Sequence, residues 1–295
     1  MLILFLFIVV GFALAKTGIV EARQAKILSA LEVYFFLPCV YFNNFSKNCN
    51  IPYLGEKYPL ILVSVGLLII LHLISKLLSK LFAKSEYETS IFTYTLTIPN
   101  FGYTGYALCQ AIFGEAALLD MMIFTLPMSI YTGSIGYNML TKQIGSKFSW
   151  KRIFTPSIIG ILLGCIVGIS GISLPTVITN VTGKAGNCMS PVSMLLTGIA
   201  ISEFNIKDLL TEKRAYIISA IRLMGIPLLV FGLFKLLGLN SMIVTAVLIY
   251  AMPCGMNTIV YPKLVGEDCR VGASMTLIST VLSLLTIPLV LQYLV

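Results

Sequence analysis

Charged side chains are scarce in this sequence. Asp, Glu, Lys and Arg together supply 11% of its 295 residues, against about 25% in soluble domains. Mean hydropathy is +0.95. A soluble globular protein is excluded on that ground, and the long apolar runs that recur along the chain belong in a bilayer. Histidine is nearly absent too, His72 being the only one. The seven cysteines form no C-x-x-C pair, and there is no H-E-x-x-H or G-x-S-x-G string. Zinc sites, disulfide frameworks and nucleophile–base catalysis are therefore poorly provided for. No enzyme, metal or cofactor is expected. Cys39, Cys109, Cys165, Cys188 and Cys254 fall within apolar runs, where cysteine serves as a small apolar residue. The segment Met1 to Ala15 lacks a basic n-region and a small-residue cleavage site, and it reads as a retained span.

Ten spans are expected, near 2–15, 25–46, 58–82, 88–113, 117–140, 152–170, 176–202, 214–238, 240–263 and 271–294. The formal net charge of +8 does not point to nucleic acid, because its placement follows these spans. Lys and Arg sort by loop, each loop taken with the span ends beside it. The loops after spans 1, 3, 5, 7 and 9 hold 3, 3, 4, 3 and 2, the largest group being Lys142, Lys147, Lys151 and Arg152. Those after spans 2, 4, 6 and 8 hold 2, 0, 1 and 1. Fifteen against four is a positive-inside asymmetry. Both termini are accordingly expected on the non-cytoplasmic side of a multi-pass protein of the cell membrane.

Two apolar stretches are broken at their centres. One reads Thr97-Ile98-Pro99-Asn100-Phe101-Gly102 and the other Met252-Pro253-Cys254-Gly255-Met256-Asn257. A proline inside a helix removes a backbone hydrogen bond and costs roughly 3 kcal/mol. In lipid, freed backbone groups are tolerated only where protein or a wet cavity meets them. The two prolines are 154 positions apart, and Gly11 with Gly164, Gly18 with Gly171 and Pro38 with Pro191 repeat at 153. The chain therefore reads as two five-span repeats, 1–140 and 152–295, joined by a cytoplasmic linker at 141–151. An odd number of spans per repeat inverts the second relative to the first, as in many secondary transporters.

Each break starts a new half-helix with unpaired N–H groups and a positive dipole end. Two such ends meeting at one point attract an anionic group, above all a carboxylate. Asn100 and Asn257 each add an amide, to a ligand or to freed backbone. Gly102, Gly105 and Gly255 remove side chains where backbone and ligand come close. With Pro99, Pro253 and Tyr103, these residues form the candidate substrate site. Three titratable residues are candidates for a charge or coupling role. Arg222 carries countercharge for an anion or snorkels to the interface, and Glu32 binds a proton or anchors at the interface. His72 acts as a pH switch or packs between helices. Asp120, near the outer end of span 5, is expected in solvent. Gly183, Gly186, Asn187, Ser190 and Ser193 in span 7 line a path or pack closely, and the same alternatives hold for Pro38, Asn43 and Asn44 of span 2.

Five segments carry a likeness to a known family. GFALAKTGIV and ILSALEVYFFLPCVYF, PNFGYTGYALCQAIFGE, AMPCGMNTIVYPKLVGED and STVLSLLTIPLVLQYL resemble the first two, fourth, ninth and tenth spans of the auxin efflux carrier family, bacterial branch. The Pro99-Asn100 pair also resembles the fourth-span motif of the plant PIN-type carriers. The resemblance implies an all-α polytopic fold of ten transmembrane helices in two inverted five-helix repeats, related to the bile-acid symporters. Broken helices 4 and 9 would cross at mid-membrane. Spans 1, 2, 6 and 7 would form a scaffold that makes a homodimer, and spans 3–5 and 8–10 a transport domain moving as an elevator. Its substrates would be small organic anions, auxin-like or mono- and dicarboxylates. Three features depart from the pattern. Ala107 stands where many relatives have proline, Thr125 replaces an acidic residue ahead of Pro127, and Cys254 with Gly255 separates Pro253 from Asn257.

Together these observations favour a secondary carrier that exports organic anions. A membrane potential drives one negative charge outward with about 2.3 kcal/mol per 100 mV, so export needs no coupling ion. The rival readings are a membrane sensor that binds a ligand without moving it, and a proton- or sodium-coupled uptake carrier of the same anions. The expected partners are the anion, membrane lipid and a second copy of the chain, with no nucleic acid.

Overall fold

Several helices in this chain begin where a side chain meets a freed backbone N–H. Ser85 accepts from the Glu88 amide while the Glu88 carboxylate accepts from Lys84 N, a reciprocal cap. Thr155, followed by Pro156, starts another helix, and Gly171 at φ 65° ends it. The computed structural model describes residues 2–21, 25–142 and 155–294, and among these every regular element is helical. In order they are α1 Leu2–Lys16, α2 Ala25–Leu31, α3 Leu37–Asn48, α4 Ile51–Phe82, α5 Glu86–Thr97, α6 Tyr106–Tyr131, α7 Tyr137–Leu140 and α8 Pro156–Ser170. There follow α9 Thr176–Ser202, α10 Ile206–Leu210, α11 Lys213–Ala220, α12 Ile226–Leu236, α13 Ile243–Tyr250, α14 Asn257–Leu264 and α15 Arg270–Leu294. Wider π turns at Glu32–Phe36, Phe101–Gly105, Thr132–Gly136 and Ile221–Gly225 join several of them into longer rods.

Among the described residues, five stretches are long and apolar enough to cross a membrane: Ile51–Phe82, Phe101–Leu140, Thr176–Ser202, Lys213–Leu236 and Arg270–Leu294. Shorter apolar helices are Phe5–Lys16, Pro156–Ser170 and Asn240–Tyr250. The stretch Phe101–Leu140 is two helices, because Gly114 interrupts it at φ 82°, a conformation that glycine adopts without strain. Helix α4 shows lipid acting as the solvent. Its exposed side carries Leu62, Ile69, Leu73 and Leu77, whereas Ser64, Ser75 and Ser79 are buried beside Leu67 and Leu71. Apolar residues outside and small polar ones inside are what a bilayer selects.

The chain separates into two compact units, each drawn from both halves of the sequence. One comprises Met1–Pro59, Tyr106–Ile123 and Ser149–Glu203; the other comprises Leu60–Gly105, Phe124–Phe148 and Phe204–Val295. The linker expected at 141–151 falls, from residue 143 onward, outside the described residues, together with Lys147, Lys151 and Arg152.

In the first unit, backbones touch at glycines. A Cβ at Gly11 would strike the carbonyl of Leu195, and one at Gly164 the carbonyl oxygen of Phe42. Gly164 and Leu195 lie 153 residues after Gly11 and Phe42, so the two contacts are related by the same offset. Helix ends repeat in the same way. The C-terminal bounds Lys16, Asn48 and Phe82 are each followed 154 residues later by Ser170, Ser202 and Leu236.

The second unit contains both chain breaks. Gly272 lies against the Thr258 carbonyl and Gly136 against the ring of Tyr94, so α15 and the end of the fifth expected span sit close to the residues around them.

Candidate functional site

Proline 99 shapes the first break twice. It lacks an N–H, and it pushes Ile98 into extended backbone at φ −110°, ψ 115°. Helix α5 therefore stops at Thr97, and α13 stops at Tyr250 ahead of Pro253. The two short non-helical stretches then meet. Pro99 pairs with Cys254 in an antiparallel bridge, and Asn100 N donates to Pro253 O at 2.9 Å. Cys254 N donates to Ser279 Oγ at 3.0 Å, which ties the crossing to α15.

Beyond the crossing the chain resumes helical structure on both sides. The turn Phe101–Gly105 opens with Gly105 N donating to Asn100 O at 3.0 Å. Asn257 is the first residue of α14. Its Nδ2 donates to the hydroxyl of Tyr94 at 2.8 Å, so part of its amide is spent on fixing its own position. Asn100 is buried and Asn257 half-buried. A Cβ at Gly102 would meet nothing within 4 Å, and one at Gly255 would only touch Pro99 O at 3.8 Å and Asn100 Cα at 3.9 Å. Packing between protein atoms does not require either glycine. Gly102 and Tyr103 are half-buried.

Arg222 does not snorkel. It is 0% exposed, and its guanidinium donates from Nη1 to Leu96 O at 2.9 Å and from Nε to Met252 O at 3.2 Å. Glu32 belongs to the other unit and is 2% exposed, so it does not anchor at an interface; its Oε1 has no hydrogen-bond partner among the described residues. His72 Nδ1 shares a hydrogen bond with the hydroxyl of Tyr131 at 2.8 Å, a helix-to-helix contact. Asp120 is not simply solvated. Tyr53 donates its hydroxyl proton to it, and Lys57 Nζ lies 3.1 Å away. Gly186 of α9 packs on Val40, with a Cβ there 3.2 Å from Val40 Cγ2. Among the cysteines, Cys188 is exposed rather than buried.

A cavity of about 310 Å³ lies in the first unit, lined in part by Val40, Tyr106, Gln110, Asn187 and Ser190. None of the residues expected at the crossing borders it. Sequence reasoning missed Tyr94 and Ser279, the polar side chains that hold Asn257 and Cys254. A buried tyrosine or serine in a membrane helix demands a partner, but spacing does not name that partner.

These features define a helical, multi-pass membrane protein with two broken helices bonded to each other at their breaks. The chain belongs to the membrane transport protein family, of auxin efflux carrier type, with matches over residues 1–145 and 140–291. It is 26% identical to an uncharacterized transporter of Methanocaldococcus jannaschii, over 98% of this chain and 96% of that one. A second uncharacterized transporter, from Methanothermobacter thermautotrophicus, is 25% identical over 96% of this chain and 93% of its own length. A third, from Schizosaccharomyces pombe, is 28% identical over 48% of this chain and 32% of its own. Family and relatives point to transport rather than to enzymatic chemistry.

Proposed function

We propose that this protein is a secondary carrier of small organic anions, acting as an exporter in the cell membrane. Its ten spans form two inverted five-span repeats. The carrying observation is the Asn100–Pro253 bond, which brings the starts of two half-helices together in one unit. Those starts present N–H groups and positive dipole ends, and a carboxylate is the ligand they suit. The substrate meets Asn100 and Asn257, with Gly102, Tyr103 and Gly255 leaving room beside the prolines.

Several facts support the repeat. The Gly11–Leu195 and Gly164–Phe42 contacts are related by 153 residues, and three pairs of helix ends by 154. The helices of spans 1, 2, 6 and 7 serve as the scaffold and the dimer surface, and spans 3–5 and 8–10 carry the substrate by an elevator movement. Both termini face away from the cytoplasm. Membrane potential drives a net negative charge outward, by about 2.3 kcal/mol per 100 mV for each charge.

Flux of labelled mono- and dicarboxylates in proteoliposomes tests the reading. Efflux should rise when an inside-negative potential is imposed. Binding without flux would instead favour a sensor, and flux indifferent to voltage would remove the electrogenic exporter.

A further inference from the structure

The broken helices leave carbonyl oxygens behind as well as N–H groups. In a continuous helix, Leu96 O would accept from Asn100 N, but that amide is bonded to Pro253 O. Met252 O would accept from Met256 N, but α13 has already ended at Tyr250. One side chain takes both released oxygens. Arg222 Nη1 is 2.9 Å from Leu96 O, and its Nε is 3.2 Å from Met252 O.

The charge itself is answered by nothing else of full opposite sign. Arg222 is 0% exposed and makes no ion pair among the described residues. Its Nη2 has no hydrogen-bond partner there, and its Cζ lies 5.5 Å from the centre of the Tyr250 ring. A buried guanidinium needs compensation, since desolvation of a full charge is severe. The compensating groups are the C-terminal ends of α5 and α13, which carry the negative poles of the half-helices and their unpaired carbonyls. The ring face adds a weaker attraction. Carbonyl ends of this kind in broken membrane helices are where transporters hold a sodium ion or a proton. Position 68, which lies 154 residues before Arg222, is Leu68, so one cation serves both half-helices.

We propose that Arg222 is a resident cation of the crossing. It occupies, by a covalently attached guanidinium, the carbonyl site that a coupling alkali cation would fill, and it makes transport independent of such an ion. Independence of transport from such an ion rests on the function proposed above, whereas the cation site rests on the Arg222 geometry alone. Arg222 is a positioning residue in this scheme. It fixes the ends of both half-helices, and through them the Asn100–Pro253 crossing.

The test has one arm that needs no flux. In detergent at fixed ionic strength, the melting temperature of the wild-type protein should be the same in sodium, lithium, potassium and N-methylglucamine chloride. Arg222→Lys keeps the charge and should behave likewise. Arg222→Gln keeps donors but not the charge. It should melt lower in N-methylglucamine and recover with saturable dependence on sodium or guanidinium ion. In proteoliposomes, wild-type anion flux should not change on sodium removal, while Arg222→Gln flux should fall about tenfold and return with the same cation. A saturable sodium effect on the wild-type melting temperature overturns the proposal, and so does an Arg222→Gln variant indistinguishable from Arg222→Lys. If Gln does not fold and Lys does, the charge requirement stands. If neither variant folds, the wild-type comparison decides alone. Absence of flux in every sample, with the melting pattern as described, would remove the transporter reading and leave the cation site intact.

Discussion

The backbone amide of Asn100 donates to the carbonyl oxygen of Pro253 at 2.9 Å. This bond uses a donor that an unbroken helix would have given to Leu96, and it turns two defects 154 residues apart into one structure. Both half-helices that leave it begin at an asparagine, Asn100 before the turn Phe101–Gly105 and Asn257 at the head of α14. The cost of breaking two helices is offset locally by cross-strand and side-chain hydrogen bonds, so the crossing is held without help from lipid.

If the asparagine amides bind the anion, removing either one deletes a hydrogen bond to a charged group. Such bonds contribute about 1.5–3 kcal/mol, roughly 10- to 150-fold in affinity. Asn100→Ala and Asn257→Ala are therefore expected to lower flux by at least about tenfold in proteoliposomes while the protein still inserts and melts cooperatively. Tyr94→Phe should weaken transport less than Asn257→Ala, because it loosens the amide without deleting it. Full flux in both alanine variants would refute the assignment of substrate to the crossing.

The glycine contacts give a prediction about stability alone. A Cβ at Gly198 would strike the Ile8 carbonyl oxygen and lie 2.6 Å from Phe12 N, and both neighbours are backbone. Nothing there can rotate away. Gly198→Ala should cost about 1–3 kcal/mol through forced separation of α1 and α9. Gly66→Ala, on the exposed side of α4 with nothing within 4 Å, should be neutral or gain up to about 1 kcal/mol of helix propensity. Melting curves of the two variants in one detergent settle the comparison, and an equal effect at both positions would contradict the close approach.

The helices and the two breaks were legible in the sequence because each depends on local features: apolar run length, proline, and the 153–154 spacing. The turn at Gly114 was legible only as a gap between expected spans 4 and 5. Less accessible were the destinations of long polar side chains. Arg222 lies 126 residues from Leu96 and 30 from Met252, and its place depends on two helices stopping where they do. Asp120 looked solvated because its partners, Tyr53 and Lys57, are more than 60 residues away in the sequence. The π turns left no spacing signal, since a five-residue widening leaves the apolar periodicity intact on either side. Glu32 shows the same limit: hydropathy places it in a span without stating which neighbour covers it.

Arg214, at the charged start of the Lys213–Leu236 stretch, offers a pH-dependent prediction through Glu212, which lies just outside it. Its Nη1 lies 2.6 Å from Glu88 Oε2 and its Nε 2.8 Å from Glu212 Oε1, and both carboxylates also cap helix starts. The hydrogen bond from Arg214 to Glu212, opposed in part by burial, holds the Glu212 carboxyl below the usual glutamate value. A carboxylate whose folded value is depressed stabilises the protein fully above its unfolded value, about 4.3. That contribution is lost as the pH falls through the lower folded value. Arg214→Gln should thus melt below the wild type near neutral pH, and the gap should narrow as the pH drops under about 4.3. The other ligand of Arg214, Glu88, adds to the gap in the same direction at neutral pH. Melting temperatures of both proteins across the acid range provide the measurement. A gap of constant size down to the lowest pH at which both remain folded would mean that Arg214 acts through packing on Phe92, whose ring centre lies 5.8 Å from its Cζ, and not through charge.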